Sequence, residues 1–149
     1  MIAPLVDRLA ALKPDVIIHS DMARTRALAL PLARHLGMTC IPEPLWRERD
    51  FGTWEGQSWN AIYRATGNAM DGMMNDPEHF HPGGGETTRA LLNRIKHAME
   101  TLPETGTAII IAHGGPIACA RLTLGNFDFG RLTTLVPKTG EVISVTSSL

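Results

Sequence analysis

A run of β-branched residues that stops at a histidine constrains this chain more than any other feature. Ala108-Ile109-Ile110-Ile111-Ala112 is short and apolar throughout, as a strand is when both of its faces are covered. His113, Gly114, Gly115 and Pro116 follow, and Ile117 to Leu124 has the composition of a helix. Glycine lets the backbone turn sharply, and proline suits a first helical turn because its missing N–H would have no partner there. The pattern sets an imidazole at the carboxyl end of a strand, beside a helix N-terminus whose backbone N–H groups favour an anion. That geometry suits phosphate handling. Taken alone, the segment reads equally well as a histidine that bonds a neighbouring carbonyl.

Apolar periodicity on either side of this segment alternates between helical and extended. Leu5, Leu9 and Leu12 have helical spacing up to Lys13-Pro14, where proline stops the helix. Val16-Ile17-Ile18 predicts a buried strand ending at His19-Ser20-Asp21. Residues 23–36 read as a helix closed by Gly37, which Pro31 should kink or start later, and Met38 to Ile41 as a second short strand. A short helix is expected around Trp59, Ile62 and Tyr63, and a long amphipathic one carries Leu91, Leu92, Ile95 and Met99 on its buried face. A last strand is expected near Val142 to Val145. Strands alternating with helices predict an α/β fold, with a largely parallel sheet covered on both faces. At 149 residues the chain is expected to form one domain spanning 1–149.

Charge narrows the partners. Fourteen Lys and Arg against fifteen Asp and Glu leave a net charge of -1, so no global field draws in nucleic acid or an anionic membrane. Any anion site must be local. Cys40 and Cys119 have neither metal-ligand nor CxxC spacing and read as buried thiols of a reducing compartment. No apolar run reaches membrane-spanning length, and Met1 to Leu5 lack a secretion signal, so a cytoplasmic protein is expected.

Two further motifs bear on chemistry. In Ser20-Asp21-Met22-Ala23-Arg24, Ser20 or Asp21 is expected to cap the following helix. Arg24 then falls in the first turn, where the helix dipole disfavours a cation. A phosphate offsets that, because guanidinium matches two of its oxygens at once; by itself, a solvated arginine is the simpler reading. The stretch Leu45 to Gly56 mixes Trp46, Phe51 and Trp54 with charges. A carboxyl group held beside indole rings can serve as a general acid, and Glu48, Asp50 and Glu55 are all candidates; an ordinary packed loop is the plainer alternative. His79-Phe80-His81 lies in a Pro- and Gly-rich loop without fixed metal geometry, so no metal is expected. Neither a GxxxxGK[ST] loop nor a complete GxGxxG fingerprint occurs, which leaves nucleotide-dependent transferase and dehydrogenase readings little support.

Ser20-Asp21-Met22-Ala23-Arg24, Glu48 to Gly56, Pro82-Gly83-Gly84-Gly85-Glu86 and Ala112-His113-Gly114-Gly115 occur in one order. In that order and approximate spacing they resemble the histidine phosphatase superfamily, also called phosphoglycerate mutase-like, and within it the small bacterial phosphatases that include the α-ribazole phosphatase group. The resemblance runs from about Leu5 to Val145. It implies a three-layer sheet covered by helices, a small phosphorylated metabolite as ligand, and no cofactor. Carried over by position, it implies that Arg24 clamps the phosphoryl oxygens, Glu48 donates a proton to the leaving alcohol, and His113 stabilises the transferring group, with Gly114 at a helix N-terminus receiving the anion. The Glu86 segment would shape its loop and cap the next helix.

One departure stands against this match. The family's nucleophile is a histidine in an Arg-His-Gly turn after the first strand, and no Arg-His-Gly occurs here. Arg34-His35 is followed by Leu36 inside a helix, and His19 is set aside as a replacement. The expectation is a histidine phosphatase-type domain, N-terminally truncated, whose first, interior strand is absent. Phosphomonoester hydrolysis through phosphohistidine is then closed to these residues. The alternatives are a non-catalytic phosphate-ligand binder of the same fold and a mutase-type phosphoryl transfer, although the compact insert between Gly56 and Gly85 favours a phosphatase. A sheet edge left open beside the His113 strand invites pairing with another chain, so a homo-oligomer through that edge is expected.

Overall fold

The computed structural model describes residues 2–146. They form two compact units, one up to Glu48 and again from Ile95, the other Arg49–Arg94.

In the first unit three parallel strands, β1 (Val16–His19), β2 (Cys40–Pro42) and β3 (Ala108–Ile111), lie in the order β2-β1-β3. Register sets Ile17 beside both Cys40 and Ile109, and His19 beside Pro42 and Ile111. Helices flank this sheet: α1 (Ala3–Ala10) and α2 (Ala23–Leu36) come from the amino-terminal part. Val6 and Leu9 of α1 and Ala29, Leu32 and Ala33 of α2 pack with Ile17, Ile109 and Ile111 into one buried cluster. The alternation of strand side chains turns Ile18 to the other face. The α/β class with a parallel sheet is therefore as expected.

Three local departures have clear causes. The second strand begins at Cys40, not Met38, because the Met38 N–H is used to close α2 on the Ala33 carbonyl, past Gly37 in the left-handed region at φ 64°. Pro31 does not delay the start of α2, which begins at Ala23 as the pattern predicts. The strand expected at Val142 to Val145 is not formed. A strand needs a ladder partner, β3 pairs with β1 alone among the described strands, and Val142 instead packs its side chain against the buried cluster.

The second unit is helical. Phe51 to Trp54 turns into a short 3-10 segment (Gly52–Trp54), and Pro82–Gly84 forms another. The two turns lie back to back: a Cβ on Gly52 would sit 2.1 Å from the Gly83 carbonyl oxygen, and Gly52 and Gly83 have φ of 54° and 61°. Only glycine fits both demands. Between them lie α3 (Trp59–Thr66), capped by Ser58 accepting from the Ala61 N–H, and α4 (Gly72–Asn75). Trp59 stands edge-on to both Phe51 and Trp54, and Trp54 meets Phe80. Helix α5 (Thr88–Glu100), which begins in this unit and continues into the first at Ile95, carries Leu91, Leu92, Ile95 and Met99 buried, as its periodicity predicts. Its cap is Thr87, whose hydroxyl accepts from the Ala90 N–H, and not Glu86. Glu86 is drawn away by Arg94, which donates to both carboxylate oxygens.

Candidate active site at the carboxyl ends of the strands

Two strand ends turn into helices side by side. β1 ends at His19, and α2 follows with Arg24 as its second residue. β3 ends at Ile111, and α6 (Gly114–Leu124) follows with His113 as its N-cap. Since the strands are parallel and His19 is in register with Ile111, both turns emerge at the same edge of the sheet. Open α/β sheets bind ligands at that edge.

The structure corrects the expected role of Ser20 and Asp21. Met22 is the N-cap of α2, with no side-chain cap hydrogen bond. Ser20 is fully buried and turns inward, its hydroxyl 2.7 Å from Thr25 Oγ1 and 2.7 Å from His113 Nε2. Asp21 turns to the segment after β2, where the Arg47 guanidinium donates from Nε and Nη2 at 2.5 Å each. That hydrogen-bonded partner holds the Asp21 carboxyl below the usual carboxylate range and raises the Arg47 guanidinium. The pair ties the turn that carries Arg24 to the segment that carries Glu48.

Arg24 is exposed in the first turn of α2, where the helix dipole disfavours its charge. Glu48 is half-buried, six residues beyond the end of β2. His113 is half-buried in extended backbone, φ -131° and ψ 167°, and its carbonyl accepts from the Ile117 N–H. Gly114 opens α6, and Pro116 within that first turn has no N–H to leave unpaired. A Cβ on Gly114 would press on Val136 Cγ1 at 3.0 Å. His19, by contrast, is buried, its Nδ1 donating at 2.6 Å to the Ser20 carbonyl. In the second unit Asp50 and Glu55 serve their own loop, accepting from the Gly52 and Phe51 N–H groups. His79 bonds Asp76, and His81 bonds the Gly85 carbonyl. Sequence reading took Ser20 for a cap and passed over Thr25. Their tie to His113 joins residues 93 positions apart, which no local pattern reveals.

The parallel sheet thus brings an arginine and a histidine out at adjacent strand ends, each beginning a helix. The model of the histidine phosphatase superfamily (branch 1) matches residues 1–147, and the chain belongs to that superfamily. A relative described as a probable phosphoglycerate mutase GpmB, from Yersinia pestis (strain Pestoides F), is 27% identical over 111 residues, covering 72% of this chain and 52% of its own. The chain thus spans about half the length of the curated relatives it matches. Among solved structures, a mycobacterial glucosyl-3-phosphoglycerate phosphatase is 22% identical with a TM-score of 0.74, covering 88% of this chain and 68% of that one. The α-ribazole phosphatase of Shigella flexneri is 19% identical with a TM-score of 0.72, over the same shares. These likenesses concern the fold. Among the described residues no helix is long and apolar enough to cross a membrane.

Proposed function

We propose that these 149 residues hold a phosphomonoester at the carboxyl ends of β1 and β3, in the manner of a histidine phosphatase, and do not turn it over by themselves. The observation that carries this reading is the Ser20–His113 hydrogen bond, which anchors the imidazole at the start of α6, beside the strand end from which Arg24 follows. Arg24 clamps the phosphoryl oxygens, His113 and the first N–H groups of α6 stabilise the charge, and Glu48 protonates the leaving alcohol. The two-step route also needs a histidine nucleophile. The absence of Arg-His-Gly from the sequence favours binding without phosphohistidine formation. Among the described strands β3 has a neighbour on one side; its other edge is where a further strand ending in that motif would dock, and where copies of the chain would pair.

Titration with inorganic phosphate, followed by calorimetry, tests the site. Binding weakened in Arg24→Ala and lost in His113→Ala is expected; binding unchanged in both overturns it. Incubation with an aryl phosphate should give negligible turnover and no acid-labile phosphate on the protein. A longer chain carrying a β-branched strand that ends in Arg-His-Gly should gain activity and thermal midpoint together. Turnover by the 149 residues that His19→Ala abolishes would transfer the nucleophile's role to His19.

A further inference from the structure

The hydrogen bonds around Ser20 can be assigned a direction by counting protons. Thr25 Oγ1 has one hydrogen and three oxygens nearby: the Ser20 carbonyl at 2.8 Å, the Met22 carbonyl at 3.0 Å and Ser20 Oγ at 2.7 Å. Carbonyl oxygens accept and never donate, so the contacts to Ser20 and Met22 require the Thr25 hydrogen. Without it, Thr25 would face two carbonyls lone pair to lone pair. Thr25 Oγ1 is therefore the acceptor toward Ser20, and the single hydrogen of Ser20 Oγ points at Thr25. Ser20 then has only lone pairs to offer at its other contact, 2.7 Å from His113 Nε2. A short contact to a lone pair needs a hydrogen on the nitrogen. Ser20 is fully buried and Thr25 nearly so, at 2% exposure, which makes an unmatched hydroxyl at either one expensive.

We propose that Thr25 and Ser20 form a directed hydrogen-bond relay that fixes neutral His113 as the Nε2–H tautomer, which makes Ser20 and Thr25 positioning residues for the site. The relay starts at a main-chain carbonyl, which has no protonation state to change, so its direction is set by the backbone. The charge of His113 is then gained and lost at Nδ1, while Nε2 keeps its hydrogen on Ser20. Thr25, near the start of α2, controls the ring that begins α6. The consequence for phosphate rests on the reading of His113 given above; the tautomer does not.

The test is long-range proton–nitrogen NMR of the uniformly labelled 149-residue chain, at a pH above the titration of His113, with His113→Gln identifying its signals. The wild type should show the Nε2–H pattern. Thr25→Val keeps the shape of the side chain but removes the acceptor, freeing the Ser20 hydroxyl to donate; His113 should shift to a mixture containing the Nδ1–H form. Thr25→Ser should restore the wild-type pattern. An Nδ1–H ring in the wild type, or an unchanged tautomer in a folded Thr25→Val, overturns the relay, and the wild-type spectrum decides alone if that variant fails to fold. Phosphate affinity should fall about tenfold in Thr25→Val and recover in Thr25→Ser, the size of one weakened charge-assisted hydrogen bond. Absence of phosphate binding in the wild type, with the Nε2–H pattern intact, would instead count against the proposed function and leave the relay standing.

Discussion

His19 and His113 each stand near the end of a parallel strand in the same sheet, and they do different things. His19 is the last residue of β1, still in the ladder opposite Ile111, buried at 3% exposure and bonded to the backbone. His113 comes two residues after β3 has ended, half-buried, and bonds a side chain of the neighbouring turn. A ring inside the ladder takes its surroundings from the sheet, whereas one just past it is free to be placed by a turn and a helix N-terminus. The helices differ in the same sense. α2 puts Arg24 in its first turn, and α6 opens with two glycines and a proline. One turn supplies a cation; the other supplies an imidazole and backbone N–H groups.

The largest expected effect separates the two histidines. His19→Ala removes a buried ring and its hydrogen bond, and should lower unfolding stability by about 2–4 kcal/mol, read by urea denaturation, with phosphate binding retained at a temperature where the variant is folded. His113→Ala should abolish phosphate binding, at a smaller stability cost of about 1–2 kcal/mol from the lost hydrogen bond to buried Ser20. Equal stability losses in the two variants would erase the distinction.

Arg24 sharpens the comparison of the helices. Arg24→Ala should weaken phosphate affinity by roughly tenfold to a hundredfold, the range of a lost hydrogen bond to a charged partner, and should leave stability unchanged or slightly raised, because a cation leaves a helix N-terminus. A drop in stability with affinity intact would make Arg24 structural.

The smallest effect concerns the Asp21–Arg47 tether, which faces solvent. The folded Asp21 carboxyl titrates below its unfolded value, so the tether contributes fully above the ordinary carboxylate range and is lost as pH falls through the lower, folded value. The difference in thermal midpoint between wild type and Asp21→Asn should therefore be small and constant from about pH 5 to 8 and shrink only in strong acid. A difference that varies across the neutral range would assign that titration to another group.

Much of this was legible in the chain. Ala108 to Pro116 determined a strand, a turn and a helix, because β-branched residues, glycines and a proline act on their own backbone within a few residues. The spacing of Leu91, Leu92, Ile95 and Met99 determined the buried face of α5 for the same local reason. The order of short motifs determined the family. Other features depended on which groups met. Ser20 and Asp21 have the chemistry of helix caps, yet buried Thr25 and half-buried His113 claim one and Arg47 the other, and a side chain turned to those partners no longer reaches the helix N-terminus. Val142 to Val145 has the composition of a strand, but a ladder requires a neighbour, and tertiary structure alone decides whether one is there. Glu86 lost the helix cap to Thr87 because Arg94, eight residues on, offers its carboxylate two donors at once.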